Sequence, residues 1–209
     1  MNQQQIDTIY ELLEELVIFF NNLGINYNII CGSALGQARN GGFIPWDNDI
    51  DFGIHQKDAD LVWKNKEQLE KQGYHILKAD IGFKLGTGNI NSNSTINNEN
   101  MVIGPISPFL ETNQDIFFLS EDGYAEDGTS VMRYTAERAR NSWPKEIIPV
   151  SGWYNPVIGL FGGYEVNILP KKELNWYLTH AYGTQWKTHD ADDEKILDFS
   201  CLLHSSKKF

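Results

Sequence analysis

The sequence predicts a single α/β (α+β) domain spanning residues 1–209, with a small mixed β-sheet flanked by helices. Three observations predict it. Residues 5 to 22 place Ile6, Ile9, Leu13, Leu16, Val17 and Phe20 at helical spacing, with Glu11, Glu14 and Glu15 outside. The apolar run Tyr27-Asn28-Ile29-Ile30-Cys31 reads as a strand that runs directly into Gly32-Ser33 and a helical stretch. Two further strands carry acids at their mouths: Asp49-Ile50-Asp51-Phe52 alternates polar and apolar, and Gln114-Asp115 heads Ile116-Phe117-Phe118-Leu119.

Taken in order, the first helix ends at Gly24 and is scaffold. Residues 26 to 31 form the first strand, with Cys31 as a core strand residue, and Ala34 to Arg39 is a short helix or helical turn. After the acidic strand, His55 to Gly73 reads as one helix with Ala59, Val62 and Leu69 along one side. Tyr74 to Leu77 and Ile81 to Leu85 are strands, and Lys84 stands between apolar neighbours on the second. Gly86 to Asn100 is rich in Asn, Ser, Thr and Gly, and reads as a long loop, either a lid or partner surface or a tolerated insertion. Asp122-Gly123 and Asp127-Gly128 are hairpin-type turns. Thr135 to Trp143 is a helix candidate bearing Arg138 and Arg140, after which Pro144, Pro149 and Pro156 break the chain. A helix from Lys171 to Tyr182 is stopped by Gly183; Leu174, Tyr177, Leu178 and Ala181 read as packing and His180 as structural. The acidic tail from His189 is expected to fray.

Composition narrows the function classes. A chain of 209 residues supports one domain with a sizeable core, and 41% apolar content with 12% aromatics is globular. A net charge of −11 argues against general nucleic-acid binding, which needs a basic face. No apolar run reaches the ~18 residues of a membrane span, and Met1-Asn2-Gln3-Gln4-Gln5 begins no visible secretory signal, so a cytoplasmic setting is expected. Cys31 and Cys201 form neither a disulfide framework nor a zinc spacing. The sequon Asn93-Ser94-Thr95 reads as chance.

Candidate chemistry concentrates between Gly32 and Gly53, where Asp47, Asp49 and Asp51 stand at alternate positions. On a strand, Asp49 and Asp51 share one face about 6.5–7 Å apart, with Ile50, Phe52 and Ile54 buried on the other. Asp is depleted in strands, and two like charges side by side repel unless a cation neutralises them. The pattern therefore points to a divalent metal site, Mg²⁺ or Mn²⁺, rather than a solvated face. Asp47, beside a Pro-Trp turn, is an auxiliary ligand, a group behind the ligands, or a turn residue alone. Upstream, Gly32 and Ser33 at a strand-to-helix turn offer backbone N–H groups to a phosphate. Arg39 points to solvent or back to the phosphates, and in this motif order the phosphates are favoured. From its neighbours alone, Lys84 reads as an edge-strand lysine that blocks aggregation.

The string Leu35-Gly36, Arg39, Gly42-Phe43-Ile44-Pro45-Trp46-Asp47, Asp49-Ile50-Asp51 resembles the LicD family of phosphotransferases, which includes fukutin-related proteins. Gly-Ser followed by Asp-Ile-Asp is similar to the wider nucleotidyltransferase-fold superfamily. The likeness is dense over about two dozen residues and looser in Phe161-Gly162-Gly163-Tyr164, Leu169-Pro170 and the closing Tyr182-Gly183 and Trp186. It implies a nucleotidyltransferase-type fold that moves a phospho-alcohol, such as phosphocholine or ribitol phosphate, from a CDP-linked donor to a glycan hydroxyl. It also implies a third carboxylate on a neighbouring strand, for which Asp115 is the matching position. On this reading Asp49 and Asp51 hold the metal, Asp115 completes the site or activates the acceptor hydroxyl, and Gly32, Ser33, Arg39 and Lys84 contact the donor. Transfer of an NMP from an NTP would need the same metal site and stays open, as does a non-catalytic binding module on the same fold.

Overall fold

The computed structural model describes residues 2–44, 47–88, 95–96, 101–103, 112–188 and 205–207. Pro45-Trp46, Asn93-Ser94 of the sequon, most of the 86–100 loop, Cys201 and the tail from His189 to His204 lie outside the described residues.

The chain opens on helix α1 (Gln3–Leu23). Asn2 and Gln5 form a capping box at its start, and Gly24 ends it in a left-handed conformation. Strand β1 (Tyr27–Ile29) runs into α2 (Cys31–Asn40), then β2 (Asp51–His55), a 3-10 turn over Gln56–Asp58, and α3 (Ala59–Lys64) and α4 (Glu67–Glu70). The single helix expected over 55–73 is thus broken. Asn65 leaves helical geometry at φ −105°, ψ 6°, and its side-chain amide donates to the Leu61 carbonyl at 2.8 Å, competing with the backbone ladder.

The next strands are β3 (His75–Ala79), β4 (Gly82–Thr87), β5 (Thr95–Ile96), β6 (Met101–Ile103), β7 (Thr112–Tyr124) and β8 (Ser130–Tyr134). Asp122-Gly123 is not a turn but part of β7, where the register shifts between Glu121 and Tyr124. The turn lies beyond it, where the Asp127 carboxylate accepts the Thr129 N–H at 3.0 Å. Helix α5 (Glu137–Ser142), strand β9 (Ile148–Pro149), helix α6 (Val150–Trp153), the hairpin β10 (Val157–Phe161) and β11 (Tyr164–Ile168), and α7 (Lys171–Tyr182) follow. The hairpin turns at Gly162-Gly163, both with positive φ, and was not expected from the sequence.

Among the described residues nine strands form one mixed sheet, larger than expected, in the order β1-β2-β7-β4-β3-β6-β5, with β8 and β9 continuing from the far half of β7. The sheet is covered on both faces. Ile116, Phe52, Ile54, Phe83 and Leu85 pack with α1, α3 and α4. Phe117, Leu119, Met132 and Tyr134 pack with α2, α5, α6 and α7. Among the described residues no helix is long and apolar enough to cross a membrane.

Candidate active site

Three adjacent strands set the site. Asp51 on β2 stands opposite Asp115 on β7 in parallel register, and Asp115 stands opposite Lys84 on β4 in antiparallel register. Side chains alternate along each strand, so with Phe52, Ile116 and Phe83 committed to the α1 face, Asp51, Asp115 and Lys84 emerge together on the other. Asp49 lies just before β2 and not within it, yet its carboxylate reaches the same point. One carboxylate oxygen from each of Asp49, Asp51 and Asp115 lies within 4.8 Å of the others.

Buried polar contacts fix this convergence. The side-chain oxygen of the fully buried Gln114 accepts the Ile50 N–H at 2.5 Å. Asp115 donates its N–H to the Ile50 carbonyl at 3.3 Å. Ser33 Oγ accepts the Asp51 N–H at 2.8 Å, and the Asp51 carbonyl accepts the Ile30 N–H at 3.0 Å. Asp51 is therefore clamped from both the helix and the strand side.

The cluster is electrostatically unfavourable by itself. Burial, then the charges of Asp47 and Asp115, push the Asp49 carboxyl up to about 8, and Lys84 opposes that rise. Burial, then Asp49 and Asp115, hold the Asp51 carboxyl well above the usual carboxylate range. Burial raises Asp47 as well. Asp115 has its own compensation: its Oδ1 takes the Lys84 ammonium at 2.5 Å and the Asn113 amide at 3.2 Å. Both members of the ion pair are only about 15% exposed, so solvent screens it weakly.

A divalent cation fits this set. Hard carboxylate oxygens are the preferred donors of Mg²⁺ and Mn²⁺. The 4.8 Å span is close to the ~4 Å that ligation at about 2.1 Å allows between oxygens. The desolvated, mutually repelling carboxylates are the groups such an ion would neutralise.

The other expected residues divide. Gly32 and Ser33 are first-turn residues of α2 rather than a turn before it, so their N–H groups are among those a helix leaves without an internal acceptor. A Cβ on Gly32 would stand 2.7 Å from Asp47 Oδ2 and 4.0 Å from Asp51 Oδ2, so a side chain here would press on the acids. The Ser33 hydroxyl is spent on the Asp51 N–H. Asp47 lines the same cavity and its carboxyl hydrogen-bonds that of Asp49, beside the three oxygens that converge. Arg39 engages backbone carbonyls on the segment after α7: it donates to the Trp186 carbonyl at 2.5 Å and the Thr188 carbonyl at 2.9 Å, tying α2 to that segment. Lys84 is no edge-strand lysine, since β4 lies between β7 and β3.

The acids form one wall of a cavity of about 690 Å³ whose opposite wall is Trp143, Lys145, Glu146 and Tyr182. Sequence reading missed this wall. Tyr177 and Tyr182 on α7 both hydrogen-bond the half-buried Glu146 carboxylate. The Tyr177 hydroxyl in turn accepts the Cys31 N–H at 2.8 Å. Cys31 is not in a strand but begins α2, with its Sγ 2.9 Å from the Tyr134 hydroxyl. Trp143, 44% exposed, stands edge-on to Phe117 and Tyr134 and offers a flat apolar surface to the cavity.

The chain is 48% identical over 46 residues to "Ribitol 5-phosphate transferase FKRP" of Homo sapiens, a stretch covering 22% of this chain and 8% of that protein. It is 32% identical over 69 residues to an uncharacterized protein of Rickettsia prowazekii (strain Madrid E), covering 33% of this chain and 26% of that one. It thus matches only about a quarter or less of the length of these relatives. Among solved structures, the antibiotic-resistance factor ANT(2'')-Ia superposes with a TM-score of 0.43 at 14% identity, covering 99% of this chain and 92% of the other. The model of the "LicD/FKTN/FKRP, nucleotidyltransferase domain" family matches residues 24–153, which hold every converging carboxylate and Lys84, and the chain belongs to that family.

Proposed function

We propose that this chain is a metal-dependent phosphotransferase that moves a phospho-alcohol, of the phosphocholine or ribitol phosphate type, from a CDP-linked donor to a glycan hydroxyl. The observation that carries the reading is the convergence of Asp49, Asp51 and Asp115 at the wall of one cavity. Membership of the family and the 46-residue likeness to a ribitol 5-phosphate transferase support the donor class.

In the proposed reaction the acceptor oxygen attacks the phosphorus that bears the alcohol. The bond from that phosphorus to CMP breaks, and CMP leaves with the bonding electrons. A bound Mg²⁺ or Mn²⁺, held by Asp49 and Asp51, would supply charge neutralisation for the donor phosphates. The chain's own groups do the rest. First-turn N–H groups of Gly32 and Ser33 orient a phosphate at the start of α2. Asp115, whose Oδ1 is held by Lys84 and Asn113, accepts the hydroxyl proton through the oxygen those two do not engage. Gln114 and Ser33 hold the backbone of the acids in place.

The test is to incubate the protein and Mg²⁺ with CDP-choline, CDP-ribitol or nucleoside triphosphates, together with a glycan acceptor. CMP formed from a CDP-alcohol in proportion to acceptor is the expected result. Pyrophosphate from a triphosphate without CMP release would replace this reading with nucleotidyl transfer.

A further inference from the structure

Cys31 is, among the described residues, the one non-glycine residue with positive φ, at 51°. A side chain in that region is strained and persists only where the surroundings over-determine it. Cys31 immediately precedes Gly32, where a Cβ would stand 2.7 Å from Asp47 Oδ2 and 4.0 Å from Asp51 Oδ2. A change of backbone angle at 31 therefore re-aims the first-turn N–H groups of α2 and the Ser33 hydroxyl that holds Asp51.

The structure supplies a restraint. The Cys31 N–H donates to the Tyr177 hydroxyl at 2.8 Å, and that hydroxyl donates its own proton to Glu146 Oε2. Tyr177 is fully buried on α7, 146 residues away along the chain. A phenol accepts well from a backbone N–H only if its own proton is directed elsewhere, and Glu146 directs it. Tyr182 hydrogen-bonds the same carboxylate and holds it in place. Packing alone does not need this arrangement, since Phe would fill the Tyr177 position with the same ring.

We propose that Glu146 and Tyr177 are positioning residues. Through the chain Glu146–Tyr177–Cys31 N–H they hold the strained start of α2 in the geometry that seats the donor phosphates beside the acids. This rests on the donor-binding reading above for its functional consequence, but the restraint itself can be read without it.

The test is a substitution cycle with CDP as the probe, in the presence of Mg²⁺, measured by calorimetry and accompanied by denaturant unfolding. Tyr177→Phe removes the acceptor and should weaken CDP binding about tenfold. Cys31→Gly added to it should recover most of that loss, because glycine adopts φ near +51° without strain. Cys31→Ala added to it removes the same sulfur contact without freeing the backbone and should recover nothing. Glu146→Gln keeps an acceptor for the Tyr177 proton and should hold affinity within about threefold, whereas Glu146→Leu should lose about as much as Tyr177→Phe. Undiminished binding by Tyr177→Phe, or equal behaviour of the Gly and Ala partners, overturns the proposal. If the wild-type protein does not bind CDP, the donor reading fails, and the restraint is judged on unfolding alone. There, an unfolding constant for Tyr177→Phe that Cys31→Gly restores by at least about threefold, and Cys31→Ala does not, supports it. Strict additivity overturns it.

Discussion

Two neighbouring rungs of the same three strands have opposite characters. Phe52, Ile116 and Phe83 face one another across β2, β7 and β4 and are buried against α1. One residue earlier on β2 and β7, and one later on β4, Asp51, Asp115 and Lys84 face one another on the other side. The first rung gains free energy from removal of apolar surface, with aromatic contacts such as Phe83 on Phe118 at 4.9 Å between centroids. The second collects carboxylates whose charges repel, relieved in part by one lysine. The difference teaches where stability and chemistry reside: the α1 face holds the strands in register, and that register is what forces the acids together.

The contrast is broken most sharply by exchanging one residue on each rung. Asp51→Asn should lower transfer by about a thousandfold or more, because a shared metal site loses a ligand at its centre. It should not lower the melting temperature of metal-free protein, since one member of a repelling set becomes neutral. Phe52→Ala should do the reverse, costing about 3–5 kcal/mol of stability through lost burial and a cavity, while the protein that remains folded keeps its turnover. Steady-state kinetics and denaturant unfolding on both variants check the pair. An Asp51→Asn protein that retains near-native turnover would remove the metal assignment.

Asp115 sharpens the distinction within the acidic rung. Lys84 and Asn113 hold its Oδ1, which fixes the carboxylate and leaves the second oxygen to face an acceptor hydroxyl. Asp115→Asn should cut kcat by about a hundredfold with only a modest change in CDP-donor affinity. A loss of metal affinity as large as that in Asp51→Asn would make it a ligand first.

How much of this was legible in the sequence follows from how local each feature is. The acids were legible because strand alternation places Asp51 opposite in sense to Phe52, and Asp115 to Ile116, whatever the neighbours are. Helices α1 and α7 were legible because their apolar periodicity and stops are local too. The partner of Lys84 was not, since only the antiparallel register of β4 on β7 puts it beside Asp115. The acceptors of Arg39 were not legible, because the carbonyls of Trp186 and Thr188 lie nearly 150 residues on. Tyr177 sits at a packing position of α7 and does pack. Its hydroxyl gains a role only when α7 is laid against Cys31, and the one local hint was a tyrosine where phenylalanine would fill the same space.

The mildest effect is the dependence of metal-free stability on pH. The Asp49 carboxyl is pushed up to about 8 in the folded protein, from an unfolded value of 3.8, first by burial and then by Asp47 and Asp115. Between those values the native state binds more protons than the unfolded one, so stability falls as pH rises. The favourable contribution is complete below about pH 4 and is lost as pH passes through about 8. Asp51, raised in the same direction, adds to the slope. His55 opposes it, since burial lowers its pKa, but it stands apart from the acids and contributes equally to wild type and to Asp49→Asn. The difference in melting temperature between wild type and Asp49→Asn, measured in chelator from pH 5 to 8.5, should therefore move against the wild type as pH increases. Saturating Mg²⁺ should flatten or reverse that trend, because a cation bound only to the native, ionised cluster favours the deprotonated folded state. A wild-type advantage that grows with pH in chelator would mean that the acids are better neutralised within the chain than the one lysine beside them suggests.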